Sequence, residues 1–95
     1  MRVLWTHSAR RDLAAHFDYL AARNPATALQ LEAIALRMVE GLIDYPQRGR
    51  PGRREGTREL LVSNLPYVVV SSIGEDRVIV LRMLHTAQDW PPRET

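Results

Sequence analysis

Apolar residues along this chain recur first at strand spacing, then at helix spacing, then at strand spacing again. In "RVLWT", Arg2 to Thr6, Val3 and Trp5 fall on one face of a short extended segment. Ser8 then reads as a helix N-cap, and Leu13, Phe17, Leu20 and Ala21 mark one apolar face of a helix from about Ala9 to Arg23. "NPAT" ends that helix and starts another. Asn24 is a capping residue, and Pro25 suits the first helical position because the N–H it lacks has no partner there. The stripe Leu31, Ile34, Ala35, Met38, Val39 and Leu42 carries the second helix to about Ile43, so the pattern predicts an antiparallel helical hairpin with a tight joint.

Beyond an arginine-rich bend the period returns to two. "TRELLV", "YVVVSSI" and "RVIVLRMLH" are rich in β-branched residues and are separated by the turn signals "SNLP" and "GED", which predicts a three-stranded meander. The order is β-α-α-β-β-β: a single α+β domain over residues 1–95, its helical hairpin packed on one face of an antiparallel sheet. With a tight "GED" turn, Val68 and Val70 share a face with Ile79, Leu81 and Met83, and this set is expected under the helices. Tyr67, Val69 and Ile73 share the other face with Val78, Val80, Arg82 and Leu84. That second face is too apolar to be simply solvated. Two covers are open to it: a partner protein, or the tail "TAQDWPPRET" folding back with Trp90 as the plug.

Composition narrows the function classes. No apolar run approaches the length of a membrane span, and the start is charged too early for a secretory signal, so a cytoplasmic protein without a membrane partner is expected. Cysteine is absent, which excludes disulfides and thiolate metal sites. All 13 basic residues are Arg. Five of them (Arg48, Arg50, Arg53, Arg54 and Arg58) lie in one bend against Glu55, net +4, whereas the remaining chain is net −2. Gly49, Gly52, Gly56 and Pro51 give that bend a defined backbone. Nucleic-acid phosphates, an acidic protein surface, or solvent alone are each compatible with it.

Candidate catalytic chemistry is sparse. RNA cleavage needs a base, an acid and cations on the phosphate, and Arg58, Arg82 and His85 supply part of that set, with His85 the one that titrates near neutrality. On a regular strand Arg82 and His85 point to opposite faces, so a joint site needs a bulge or strand end near Leu84; a capping role for His85 competes. Asp12 and His16 have the four-residue spacing of a two-ligand metal face, but no third ligand accompanies them and a surface pair is the simpler reading. No metal and no cofactor are expected.

The Trp5 strand, "SARRDLAAHFDYLAARNPATA", "YPQRGRPGRREGTREL", "PYVVV" and "VLRMLHTAQDW", taken in order, resemble the ParE/RelE superfamily, the toxins of bacterial type II toxin-antitoxin modules, over nearly the whole chain. That resemblance implies the same helical hairpin on a sheet. It implies growth inhibition by one of two routes: ParE-like members poison DNA gyrase, and RelE-like members cut mRNA on the ribosome. Ribonuclease members commonly place Arg after the tyrosine of the middle strand, further basic residues on the strand before, and a tyrosine near the end. Here Val68 follows Tyr67, "TRELLV" carries only Arg58, and no tyrosine follows Thr86. "GRPG" and "GTREL" look closer to ParE. The resemblance therefore implies a gyrase poison, using Arg48, Arg50, Arg53, Arg54 and Arg58 as a target-binding surface. It also implies an acidic, partly disordered ParD-like antitoxin, through which alone DNA is contacted, on Tyr67, Val69, Val78, Val80, Arg82, Leu84 and Trp90. The alternatives are a ribosome-dependent ribonuclease using Arg58, Arg82 and His85, and a non-toxic binding module or co-repressor.

Overall fold

The computed structural model describes residues 1–91. Strand β1 (Arg2–Trp5) leads into helix α1 (His7–Ala21), then helix α2 (Pro25–Glu40) with a 3-10 turn at Gly41–Ile43. Strands β2 (Arg50–Pro51), β3 (Arg58–Leu61), β4 (Tyr67–Ile73) and β5 (Arg77–His85) follow. The five strands form one sheet in the order β1-β5-β4-β3-β2.

The helix starts follow from local chemistry. Thr6, rather than Ser8, caps α1: its hydroxyl accepts from the Ala9 N–H at 3.0 Å while donating to the Leu81 carbonyl at 2.8 Å. One side chain thus caps the helix and ties it to β5, which sets the helix start earlier than expected. Asn24 caps α2 as its sequence predicts, accepting from the Thr27 N–H at 3.2 Å, with Pro25 in the first helical position.

The sheet is mixed, not wholly antiparallel, because β1 runs parallel to β5 with Val3 beside Val78 and Trp5 beside Val80. The helical hairpin and the meander together supply the long crossover that a parallel pair requires. The arginine-rich bend contributes a strand of its own, β2, pairing with β3 at Arg50 with Glu59 and Pro51 with Arg58.

The assignment of sheet faces needs correction. Tyr67, Val69, Val80 and Met83 are buried against Ala9, Leu31, Ala35 and Val39 of the helices. Val68, Val70, Leu81 and Leu84 form a separate cluster on the outer face, with Trp90 packed on it. Two physical reasons account for the reversal and its extent. Both faces are apolar, so alternation does not choose between them; the helices take the face on which Val3 and Trp5 already join the core. A bulge also shifts the register between Val70 with Arg82 and Ser71 with Val80, so that Leu81 is extra and the reversal does not reach Met83 and Leu84, which keep the faces expected of them, Met83 under the helices and Leu84 outside. The expected tail is described to Pro91; residues 92–95 lie outside the described residues. Among the described residues no helix is long and apolar enough to cross a membrane.

Candidate functional site

The arginine-rich bend is a hairpin organised by a carboxylate. Gly49 has φ +101°, and a β-carbon there would meet the Glu59 carbonyl oxygen at 2.6 Å, so glycine is what allows the chain to enter β2 against β3. At the tip, the Gly52 N–H donates to the Thr57 carbonyl at 2.8 Å, and the Thr57 hydroxyl donates to the Arg54 carbonyl. Glu59 projects beneath the hairpin with only 1% of its side chain exposed. It accepts from the Arg53 N–H at 2.8 Å, from Arg53 Nε at 3.2 Å, and from Arg50 Nη2 at 3.4 Å. Burial pushes the Glu59 carboxyl up, but the Arg53 and Arg50 hydrogen bonds and the Arg53 charge outweigh it and hold the group below its ordinary value. Arg53 Nη1 also donates to the Gln88 carbonyl at 3.2 Å, joining the hairpin to the turn that carries Trp90.

The structure therefore brings Arg48, Arg50, Arg53, Arg54 and Arg58 onto one hairpin. Arg48 and Arg54 are exposed, Arg50 and Arg53 serve Glu59, and Arg58 donates to the Gly49 carbonyl at 3.4 Å. With Glu59 counted the hairpin is net +3.

Arg58, Arg82 and His85 are not brought together. Arg82 makes a two-pronged contact with Asp12 of α1, Nε to Oδ2 at 2.6 Å and Nη2 to Oδ1 at 3.1 Å, which raises the guanidinium pKa further. His85 Nδ1 accepts from the Ala87 N–H at 3.1 Å, and its own N–H donates to Gln88 Oε1 at 3.1 Å, which is the capping role. Asp12 and His16 do not form a surface pair. Asp12 also accepts from the Met83 N–H at 2.9 Å, and His16 Nε2 donates to the Met83 carbonyl at 2.9 Å. The Tyr67 ring lies between His16 and His85, with centroids 4.8 Å and 5.3 Å away. Burial, and then Tyr19, push its phenol pKa up. Among the described residues no group of three or more His, Cys, Asp or Glu side chains is placed to hold a metal ion.

The residues assigned to the antitoxin are divided. Tyr67, Val69, Val78 and Val80 are buried, at most 3% exposed, and do not form an open face. Leu84 and Trp90 belong to the outer cluster, and Arg82 is turned to α1. Sequence reasoning missed Glu59, whose signal was a lone carboxylate in a strand directly after the arginine cluster. It also missed the Asp12–Arg82 pair, which no local pattern reveals because the partners are separated by 70 positions.

Residues 3–90 match the family described as "ParE toxin of type II toxin-antitoxin system, parDE". The chain is 37% identical over 90 residues to Y4kP of Sinorhizobium fredii strain NGR234, covering 95% of this chain and 93% of that protein. It is 32% identical over 87 residues to toxin RelE2 of Caulobacter vibrioides, covering 92% of this chain and 97% of that one. Among solved structures, the chromosomal ParDE system of Pseudomonas aeruginosa superposes with a TM-score of 0.80 at 25% identity, over 90% of this chain and 95% of that one. The RelBE2 toxin-antitoxin complex of Mycobacterium tuberculosis superposes with a TM-score of 0.61 at 28% identity, over 88% and 95% of the two chains. The chain belongs to the ParE toxin family, within the ParE/RelE superfamily of type II toxin-antitoxin toxins.

Proposed function

We propose that this toxin arrests growth by binding DNA gyrase through the arginine hairpin, without a catalytic step, and that a cognate antitoxin neutralises it. The observation that carries the reading is the division of labour among the basic residues. Five Arg converge on one hairpin, whereas Arg82 and His85, needed for a nuclease, are each committed to internal hydrogen bonds. Arg is a favoured anchor of protein interfaces because its planar fork binds carboxylates and its stem covers apolar surface. The antitoxin is expected to be acidic and partly disordered, folding as it binds and being steered by the net +3 hairpin. DNA is reached only through that antitoxin.

A second reading, ribosome-dependent mRNA cleavage, is favoured by one observation: His85 opens onto a pocket of about 350 Å³ that His16, Tyr19 and Thr27 also line. Induced expression without the antitoxin separates the two. The gyrase reading expects SOS induction with intact mRNA, a loss of arrest on Arg48→Glu with Arg54→Glu, and little effect of His85→Ala in a folded chain. New mRNA ends phased to ribosomes, without SOS induction, would replace it with the second reading.

A further inference from the structure

The pocket beside His85 contains a hydroxyl that the fold does not use. Tyr67 is 3% exposed and lines this space of about 350 Å³, at the junction of α1, the start of α2, the start of β4 and the end of β5. Among the described residues its phenol oxygen has no hydrogen-bond partner, and the contacts of the ring are with the imidazoles of His16 and His85. An unpaired hydroxyl at such depth is costly. The oxygen is not sealed in, however. No fully buried side-chain oxygen or nitrogen among the described residues lacks a partner, so the Tyr67 oxygen opens onto the pocket that its residue lines.

Two more lining residues carry spare donors. His85 Nδ1 accepts from the Ala87 N–H, which leaves the proton of the neutral ring on Nε2. Thr27 uses its backbone N–H for the α2 cap and keeps its hydroxyl uncommitted. Leu20, Leu65 and Pro66 supply apolar wall, and no carboxylate or guanidinium lines the space.

This set defines the occupant. Spare O–H and N–H groups among apolar walls and aromatic rings are complementary to a flat apolar body with an oxygen acceptor. A carboxylate here would lose its hydration with no cation in the lining to compensate, so the acceptor is an uncharged carbonyl. We propose that this pocket binds a small neutral aromatic carbonyl compound of one or two rings, its carbonyl oxygen accepting from the Tyr67 hydroxyl and its ring resting against Leu20 and Leu65. The inference goes beyond the function proposed above, and the gyrase reading can fail without affecting it.

The probe is 1-indanone, titrated into the whole protein and followed by the side-chain NMR signals of Tyr67 and His85, with indane as the same skeleton lacking the oxygen. Saturable shifts at both residues are expected, with a Kd on the order of 1 mM for so small a ligand. Tyr67→Phe keeps the ring and removes only the hydroxyl. It is expected to lower the affinity for 1-indanone relative to indane by about tenfold, as loss of one hydrogen bond gives. Since the hydroxyl bonds to nothing in the fold, the melting temperature of that variant should equal or exceed the wild-type value, which separates lost binding from lost structure. Absence of saturable shifts in the wild type, or the same ratio of the two affinities in both proteins, overturns the inference. Uridine is titrated in parallel: if it shifts the same two residues with equal or higher affinity, the pocket belongs to the ribonuclease reading and this inference falls.

Discussion

Glu59 sits with 1% of its side chain exposed, a position that is costly for a carboxylate unless it is paired and fully hydrogen-bonded. Arg53 supplies both a backbone N–H and a guanidinium, and Arg50 a third contact. The folded-state carboxyl is therefore held below its ordinary value of 4.5. A lowered folded value means that the stabilisation is complete above the unfolded value and is lost as pH falls through the folded one. Denaturant unfolding of the wild type should accordingly lose stability below about pH 4.5, and Glu59→Gln should flatten that acid limb while costing about 1–3 kcal/mol at neutral pH. An acid limb identical in both proteins would show that Glu59 is not the group responsible. The arginine cluster was legible in the sequence because charge density is a local property. The carboxylate that organises it was not, because its burial depends on strand pairing.

At the scale of elements, α1 covers a strand edge as well as a sheet face. β1 accompanies β5 only as far as Val80, and Thr6 then takes over at the carbonyls that follow. Asp12 and His16, one helical turn apart, satisfy the N–H and carbonyl of Met83 where a neighbouring strand would otherwise do so. Asp12→Ala removes the Met83 acceptor and the Arg82 partner together, and a loss of about 2–3 kcal/mol is expected by denaturant unfolding. Amide exchange at Met83 should rise more than at Val69, its partner in β4. Equal protection of Met83 in variant and wild type would mean that the edge is held by something else. The α2 cap and the approximate helix spans were readable because each follows from a few neighbouring residues, whereas the α1 cap was not, because Thr6 is fixed by its bond to β5. The bulge at Leu81 was not, since it inserts one residue into a period-two pattern that stays apolar on both sides.

For the whole molecule, the outcome is a sheet apolar on both faces and covered unequally. The helical hairpin closes one face, and the tail turn closes about the middle of the other through Trp90, which is 9% exposed. Trp90→Ala should cost about 3 kcal/mol and raise binding of an apolar dye, because Val68, Val70 and Leu84 then face water. Unchanged dye binding in that variant would show that another segment covers the cluster. Of the two covers considered from the sequence, the structure shows the tail, which lies on the outer cluster through Trp90, while Leu61 is exposed beside the arginine hairpin.

The chain by itself determined the types of every element but β2, the α2 cap, the helical hairpin, the meander and the place of its excess charge. Each of these follows from spacing and from residues within a few positions of one another. Tertiary structure decided which sheet face the helices cover, the parallel placement of β1, the β5 bulge, and the commitment of Arg82 to Asp12 and of Arg53 to Glu59 and Gln88. Periodicity is indifferent between two apolar faces, and a guanidinium takes whichever carboxylate or carbonyl the fold brings within reach.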